Sequence, residues 1–368
     1  MRTFACGLAA LFLLAGCSTP YHPPQFLEPG ASFPGLINFV AEADKKSGKK
    51  EADVLLVHGM CTHDGTWATD TVAILAAQLA ANVNPSTSRS GGGDILIIPA
   101  TIDTPQGKLL TKSLIWSPLT TPIKQQLCYD QTEKSPICIG APAFPGKRAS
   151  LNAKAKDGLL DDCLPDALIY QGQARGEIMR RMREAIITAT EGADPKTPLI
   201  VISESLGSKI LFDTLLEMLL DTRDQRAAQT ARRDLGRMAY LIMAANQIPL
   251  LQTAEQIPAS GEQRTMQAPP PDSLQVLLQE RSKIPKDRRG PAIDALTLIA
   301  FTDPNDLLSY TLPPERYPGA IVHNVLVSND RTVLGLFENP AKAHLDYLSN
   351  PDVGSLISCG VPRSQWCK

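Results

Sequence analysis

Short apolar runs rich in valine, isoleucine and leucine recur along the chain, and the longer segments between them carry apolar residues every three or four positions. The runs predict buried β-strands, and the periodic segments predict amphipathic helices. The predicted strands are residues 53–57, 94–99, 197–202, 238–243, 296–301 and 320–327, and the predicted helices are 69–81, 166–190, 206–220 and 341–348. This alternation predicts an α/β fold with a mostly parallel sheet and helices on both faces. In such sheets the chemistry gathers at the carboxyl ends of the strands.

Two stretches interrupt the alternation. Proline, glycine and cysteine recur with weak periodicity over residues 101–165, which predicts an insertion with little regular structure. Residues 252–292 are polar, contain three consecutive prolines, and predict a second insertion close to a helix. We therefore expect one large domain over residues 51–368 that carries two insertions.

Composition narrows the class of protein. The chain has 368 residues, of which 43% are hydrophobic and 20% charged, as expected for a globular protein with a large core. Its formal net charge is −2, so it lacks the basic field that binding to a phosphate backbone requires. Nucleic acid is therefore not an expected partner, and the oligomeric state stays open.

The first 17 residues have the organisation of an export signal. Arg2 is followed by an apolar run over residues 4–14 and then by small residues, and the run is too short to span a bilayer comfortably. The ending Leu14-Ala15-Gly16-Cys17 resembles the lipobox of bacterial lipoproteins. An ordinary cleaved signal with Cys17 as a bystander is the alternative.

The lipoprotein resemblance implies that Cys17 is acylated, becomes the first residue of the mature chain and anchors it to a membrane of the bacterial cell envelope. Because Ser18 rather than aspartate follows, the family's sorting rule implies the outer membrane. Residues 18–50 begin with a stretch rich in proline, glycine and serine, and we interpret the segment as a flexible tether.

Cysteine usage agrees with export. Of eight cysteines, Cys6 lies in the signal and Cys17 is the lipid site, which leaves six, an even number that favours disulfides outside the cytoplasm. The pairs Cys128 with Cys138 and Cys359 with Cys367 would close short loops, although spacing does not fix connectivity. No CxxC pair or neighbouring histidine cluster is present, so no metal site is expected.

The strongest chemical motif lies between a strand and a helix. The predicted strand that ends at residue 202 runs into Ser203-Glu204-Ser205-Leu206-Gly207, and a helix follows at once. A strand, a tight turn with small residues and a helix form the nucleophile elbow, which exposes a serine hydroxyl above the sheet. The alternative is that both serines only cap the helix.

With these residues the chain resembles the α/β-hydrolase superfamily, and within it bacterial esterases and lipase-like proteins, over most of residues 50–360 outside the insertions. The resemblance implies an α/β-hydrolase fold with Ser205 as nucleophile. It also implies an oxyanion hole formed by the Leu206 N–H and by the Met60 N–H, which follows the His58-Gly59 dipeptide. His58 precedes the nucleophile and is expected to be structural. His63 and Trp67 either line the pocket or have a surface or core role.

A serine nucleophile needs a base and an acid, which in this superfamily follow the serine in the order acid, then histidine. Only His323 and His344 follow Ser205, and His344 is preferred as base because His323 lies within a predicted strand. Asp306 is preferred as acid over Asp303, which precedes a proline and is expected to shape the turn.

The implied function is a serine hydrolase that cleaves carboxylic esters through an acyl-enzyme, without metal or organic cofactor. Tethering to a membrane suggests lipid or cell-envelope esters as substrates, while thioesterase, amidase and peptidase activities stay open. A noncatalytic envelope binding lipoprotein on a hydrolase scaffold and a structural envelope protein are the alternative classes.

Overall fold

The structure is a computed structural model, and it describes residues 18–47, 49–87, 89–91, 95–132, 135–142, 144–256, 269–285, 289 and 296–367. The predicted signal peptide, with Cys6 and the proposed lipid site Cys17, lies outside these residues. Within them, no helix is both long and apolar enough to cross a membrane.

The described residues form a ten-stranded mixed sheet and a separate pair of short strands. The strands are β1 Gln25–Phe26, β2 Phe33–Pro34, β3 Glu51–Val57, β4 Asn82–Pro85, β5 Arg89–Gly91, β6 Ile95–Thr104, β7 Gly107–Ile115, β8 Leu199–Glu204, β9 Met238–Ala244, β10 Leu296–Thr302, β11 Ala320–Leu326 and β12 Gly360–Val361. The large sheet has the order β1-β11-β10-β9-β8-β3-β7-β6-β4, with β5 paired to β6, and β12 pairs with β2. Its central six strands, β11 to β7, run parallel, and the pairs at both edges are antiparallel.

The helices of the described residues flank this sheet. The α-helices are α1 Leu36–Ser47, α2 Gly65–Gln78, α3 Thr121–Lys124, α4 Ser150–Lys154, α5 Leu164–Gln171, α6 Arg175–Ala189, α7 Leu206–Leu220, α8 Gln225–Arg237, α9 Ile248–Gln252, α10 Ser273–Lys283, α11 Pro340–Leu345 and α12 Pro351–Cys359. Short 3₁₀ helices at Ser117–Leu119, Gln125–Asp130, Pro136–Cys138, Thr253–Glu255 and Pro314–Arg316 and a π-helix at Ala155–Cys163 connect them.

Alternate residues of each central strand bury into two separate cores. On β3, Leu55 and Val57 pack into a core with residues of α6, α7, α8 and α10. Val54 and Leu56 pack into the opposite core with residues of α1, α2 and α12. Because side chains alternate across a strand, a strand that is apolar throughout requires cover on both faces. The prediction of an α/β architecture with a mostly parallel sheet and helices on both faces is confirmed.

All six predicted strands are present, but the first predicted insertion is wrong over residues 101–115. β6 continues to Thr104, turns through two residues and returns as β7, which joins the sheet beside β3. β7 was missed because two of its buried positions are the polar residues Thr111 and Ser113, which mask the strand periodicity. Only the chain beyond residue 116 has the short, irregular helices expected of an insertion.

The predicted flexible tether over residues 18–50 is also wrong for most of its length. β1 pairs with β11, β2 pairs with β12, and α1 buries Leu36, Ile37 and Val40 against the sheet. These three residues have the spacing of one helix face, a signal that the proline-rich stretch before them obscured. Most of residues 18–47 therefore belong to the folded domain.

Smaller differences concern helix boundaries and the second insertion. The predicted helix 166–190 divides into α5 and α6 at Gly172, whose extended backbone ends α5. The predicted closing helix 341–348 ends at Leu345, and α12 follows it. Of the predicted insertion 252–292, residues 257–268, 286–288 and 290–292 lie outside the described residues, and α10 occupies much of the rest.

The six cysteines of the described residues pair as Cys61–Cys163, Cys128–Cys138 and Cys359–Cys367. Both short-loop pairs predicted from spacing are present. The third pair joins residues 102 positions apart and could not be read from spacing.

Candidate active site

Ser205 occupies a sharp turn between β8 and α7. Its backbone has φ 51° and ψ −129°, a conformation that costs a residue with a side chain about 1–3 kcal/mol. The turn is held because the Ser205 N–H donates to the Ala244 carbonyl of β9 at 2.8 Å, and the Ser205 carbonyl accepts from the Ser208 N–H at 3.1 Å. The neighbouring strand and the first turn of the helix thus fix the direction of the Ser205 side chain.

Two glycines let the segment after β3 approach this turn. A Cβ on Gly59 would lie 2.7 Å from the Cβ of Ser205, and a Cβ on Gly207 would lie 2.1 Å from the His58 carbonyl oxygen. Both distances are shorter than real Cβ contacts, so a larger residue at either position would separate the segments. The elbow therefore depends on glycine at two places in the chain.

His344 and Asp306 converge on Ser205 from two other segments. The Ser205 Oγ lies 3.0 Å from the His344 Nε2, and the His344 Nδ1 lies 2.9 Å from the Asp306 Oδ1. All three side chains are buried. Because a carboxylate only accepts hydrogen bonds, Nδ1 carries the hydrogen, which leaves Nε2 to accept from the Ser205 hydroxyl.

The Asp306 carboxylate is itself positioned by two donors. The Leu308 N–H donates to its Oδ1 at 2.9 Å, and the Tyr347 hydroxyl donates to its Oδ2 at 3.0 Å. Tyr347 also accepts from the Asp303 N–H at 2.7 Å, so one tyrosine joins the acid-bearing loop to the segment that follows His344. Burial raises the pKa of Tyr347 well above its usual range, with the Asp306 charge adding to the effect, so the hydroxyl stays a donor.

The two alternative residues lie elsewhere. His323 is in the middle of β11, packs against the ring of Phe33, and is separated from β8 by two strands, about 14 Å at the usual strand spacing. Asp303 accepts from the Asn305 and Asn329 N–H groups and so shapes the loop after β10. The structure thus brings Asp306 and His344, rather than Asp303 and His323, to Ser205.

Asp303 also contacts a second buried carboxyl, Glu338. Burial raises the pKa of Glu338 to about 7, and the neighbouring Asp303 carboxyl adds to this. The Asn305 side-chain amide and the Asp330 N–H both donate to Glu338. This cluster joins the loop that carries Asp306 to the segment that leads into the His344 helix.

The two residues that are expected to supply the oxyanion donors lie beside the elbow. The Leu206 N–H is the first of α7 and precedes any carbonyl that could accept it within the helix. Met60 directly follows Gly59, and its sulfur accepts from the Gln247 side-chain amide at 3.1 Å. The same amide nitrogen lies 3.3 Å from the His344 Nε2, which places the Met60 side chain at the triad.

A disulfide and hydrogen bonds hold the segment after Met60 in place. Cys61 has φ 75° and is bonded to Cys163. The next residue, Thr62, donates from its backbone and its hydroxyl to Asp162 at 3.2 and 2.6 Å. Lys124 binds the same carboxylate at 2.8 Å. The expected oxyanion segment is thus fixed to the irregular helical segment 117–163.

His58 is a structural residue. Its Nδ1 donates to the Gly59 carbonyl at 2.7 Å, and its Nε2 accepts from the Trp116 N–H at 2.9 Å and the Ser117 N–H at 3.2 Å. Burial lowers the pKa of His58 well below its usual range, and neighbouring His63 contributes. The ring is neutral and ties the end of β3 to the end of β7. His63 and Trp67 pack around it.

Sequence reasoning missed three residues at this site: Glu204, Gln247 and Tyr347. Gln247 follows β9 at the carboxyl edge of the sheet, and Tyr347 lies three residues after His344. Their positions in the chain could therefore have predicted both as site residues. Glu204 is one residue before Ser205, and burial raises its pKa to about 7. Its residue type gave no signal, because only the folded chain shows that its carboxyl is enclosed.

The described residues contain no group of three or more histidine, cysteine, aspartate or glutamate side chains that could hold a metal ion. The chemistry that this arrangement offers is that of an activated hydroxyl, a neutral imidazole and a carboxylate in hydrogen-bonded series. Comparison of the chain with protein-family models, with curated proteins and with solved structures found no match.

Proposed function

We propose that this protein is a serine hydrolase of carboxylic esters with an α/β-hydrolase fold, anchored to a membrane of the bacterial cell envelope through a lipidated Cys17. The observation that carries the proposal is the series Ser205 Oγ to His344 Nε2 at 3.0 Å and His344 Nδ1 to Asp306 at 2.9 Å. The positive φ of Ser205 supports it, because strained backbone persists mainly where function requires it.

In the proposed reaction, His344 Nε2 takes the proton of the Ser205 hydroxyl as Oγ attacks the ester carbonyl carbon. The Met60 and Leu206 N–H groups stabilise the tetrahedral oxyanion, and Asp306 stabilises the imidazolium. His344 then protonates the leaving alcohol, and the C–O bond breaks to give an acyl-serine. Water, deprotonated by His344, attacks the acyl group, releases the carboxylic acid and restores Ser205.

Export of the chain has independent support in the three disulfide-bonded cysteine pairs, which are typical of proteins outside the cytoplasm. A lipid anchor would hold the domain at a membrane surface, where lipid or envelope esters are the available substrates. No cofactor enters the proposed reaction.

A fluorophosphonate probe tests the proposal, because it reacts with an activated serine. We expect labelling of the wild type and none of Ser205→Ala. Ser203→Ala is the matched control, since Ser203 is a buried elbow serine whose hydroxyl donates to the Ile242 carbonyl at 3.4 Å. Labelling of Ser205→Ala at the wild-type rate would contradict the proposal. A series of esters of increasing acyl length then measures substrate preference.

A further inference from the structure

An uncharged hydrophobic turn stands out from the surface between β11 and α11. Residues 333–337, Val-Leu-Gly-Leu-Phe, form this turn, which we name the apolar loop. Leu336 is 85% exposed and Phe337 55% exposed, and Val333 and Leu334 are also exposed. Single exposed apolar residues are ordinary, but a contiguous exposed group marks a contact surface.

The apolar loop has a defined shape. The Val333 N–H donates to the Phe337 carbonyl at 2.7 Å, and the Leu336 N–H donates to the Val333 carbonyl at 3.0 Å. Leu334 and Gly335 both have positive φ, 55° and 66°. A turn held closed in this way presents its side chains outward without an ordering cost when they meet a partner.

The N-terminal end of the described chain is fixed to the base of the same loop. Ser18 and Thr332 exchange backbone hydrogen bonds of 3.0 and 2.8 Å, and their hydroxyls bond at 2.7 Å. In the sequence, Ser18 directly follows Cys17, and Thr332 directly precedes the apolar loop. A lipid on Cys17 would therefore be attached next to the residue that is bonded to the base of the apolar loop.

The apolar loop is also joined to the triad. Glu338, directly after the loop, accepts from the Asn305 side-chain amide at 2.7 Å, and Asn305 precedes the acid Asp306. Leu307, on the other side of Asp306, is 73% exposed. The chain beyond the loop leads into α11, which carries His344. The anchored end, the apolar loop and the acid- and base-bearing segments thus share one side of the protein.

We propose that the apolar loop enters the acyl region of the membrane beside the Cys17 lipid, so that the side carrying Ser205, Asp306 and His344 faces the bilayer. This rests on the proposed anchor and hydrolase function and deepens both, because a hydrolase held this way takes an ester lipid of the same membrane. Between Arg331 and Glu338 no residue is charged, and exposed Arg331 suits the anionic headgroups at the loop's base.

Tryptophan quenching tests the orientation in the full mature protein. Leu336→Trp and Leu220→Trp variants are placed in vesicles of phosphatidylethanolamine and phosphatidylglycerol with brominated acyl chains. Leu220 is a matched control because it is 59% exposed and ends α7, the helix that begins beside Ser205. A helix of that length separates its ends by about 22 Å.

Relative to the wild type with its three native tryptophans, we expect strong quenching at position 336 and none at 220. Equal quenching at both positions, or none at 336, overturns the proposal. A dimer in vesicle-free sedimentation that Leu336→Ser dissociates would also overturn it, since the loop would then bind a second copy of the chain.

Two further measurements separate this inference from the proposed function. Ser205→Ala combined with Leu336→Trp should keep the quenching, because docking does not require catalysis. The double variant Leu336→Ser, Phe337→Ser should hydrolyse a water-soluble short-chain ester as the wild type does but lose at least about tenfold in rate on vesicle esters. Equal rates of the double variant and the wild type on vesicle esters would overturn the inference. If position 336 is quenched but the fluorophosphonate probe does not label the protein, membrane docking stands and the proposed hydrolase function is refuted.

Discussion

Glu204 offers a test in which stability and activity should move in opposite directions. It is the last residue of β8, next to Ser205, and only 2% exposed. Among the described residues no group meets hydrogen-bond geometry with either carboxyl oxygen. Burial raises the pKa of Glu204 to about 7, and the Asp346 carboxylate adds to this. Protonation of His344 would lower this pKa, and so do the N–H groups of Gly59 and Trp67, which lie close to the carboxyl without meeting hydrogen-bond geometry.

The sign of the pH dependence follows from the two states of the chain. Below pH 4.5, the usual pKa of glutamate, Glu204 is protonated in both the folded and the unfolded chain, and it does not change the free energy of unfolding with pH. Between pH 4.5 and about 7 the unfolded chain loses the proton while the folded chain keeps it, so the free energy of unfolding falls as pH rises. Above about pH 7 the full cost, about 3 kcal/mol, is present.

Glu204→Gln keeps the shape of the side chain and removes this cost. Relative to the wild type, we expect the variant to gain up to about 3 kcal/mol in the free energy of unfolding at pH 8 and less than about 1 kcal/mol at pH 5. Urea unfolding with the disulfides intact measures both values. Glu217→Gln, at an exposed position on α7, is the control and should change neither. A difference between Glu204→Gln and wild type that is equal at both pH values would refute the reasoning.

The same substitution should slow the reaction. In the proposed reaction His344 becomes an imidazolium in the transition state, and an ionised Glu204 would attract that charge whereas glutamine would not. Turnover at pH 8 should fall about tenfold for each 1.4 kcal/mol of imidazolium stabilisation that is lost. A variant that is both more stable and fully active would show that the Glu204 charge plays no part in catalysis.

Two further predictions concern the support of the triad. Tyr347→Phe removes one donor to Asp306 and leaves the Asp303 N–H without its acceptor. We therefore expect the free energy of unfolding in urea to fall by about 1–3 kcal/mol, and turnover to fall with unchanged KM. Wild-type values for both would contradict this. Replacing Cys61 and Cys163 together by serine removes a disulfide between residues 102 positions apart, and we expect the free energy of unfolding to fall by about 2–5 kcal/mol. The same replacement of Cys128 and Cys138 is the matched control, and turnover should fall less there.

The fold was predictable where burial leaves a simple pattern. β3, β8, β9 and β10 are buried at nearly every position, so each is a continuous apolar run that the sequence shows directly. β7 could not be recognised in this way. Its buried Thr111 satisfies its hydroxyl by donating to the Ala100 carbonyl at 2.9 Å, a partner that exists only once the hairpin has formed.

The site was predictable to the extent that chemistry fixes residue type and chain order. The sequence predicts Ser205 as the serine at an elbow, Asp306 as a later aspartate after a strand, and His344 as a final histidine. The structure brings these three together. Gln247 and Glu204 carry no such mark. Glu204 matters because its carboxyl is buried, and Gln247 matters because its amide lies close to His344. Both features depend on packing between strands that are far apart in sequence.

Ser205, Asp306 and the segment after Met60 are each held by a contact outside the series of Ser205, His344 and Asp306. Ser205 is held by the β9 carbonyl of Ala244, Asp306 by the backbone of its own loop, and the segment after Met60 by the Cys61 disulfide. Groups fixed in this way need no reorganisation when charge develops on a substrate, which is how enzymes stabilise transition states most strongly. The strained backbone of Ser205 fits the same view, because a conformation that costs about 1–3 kcal/mol survives only when several independent contacts impose it. Removing one support should therefore lower turnover before it unfolds the protein, whereas a site assembled only by substrate would lose affinity first.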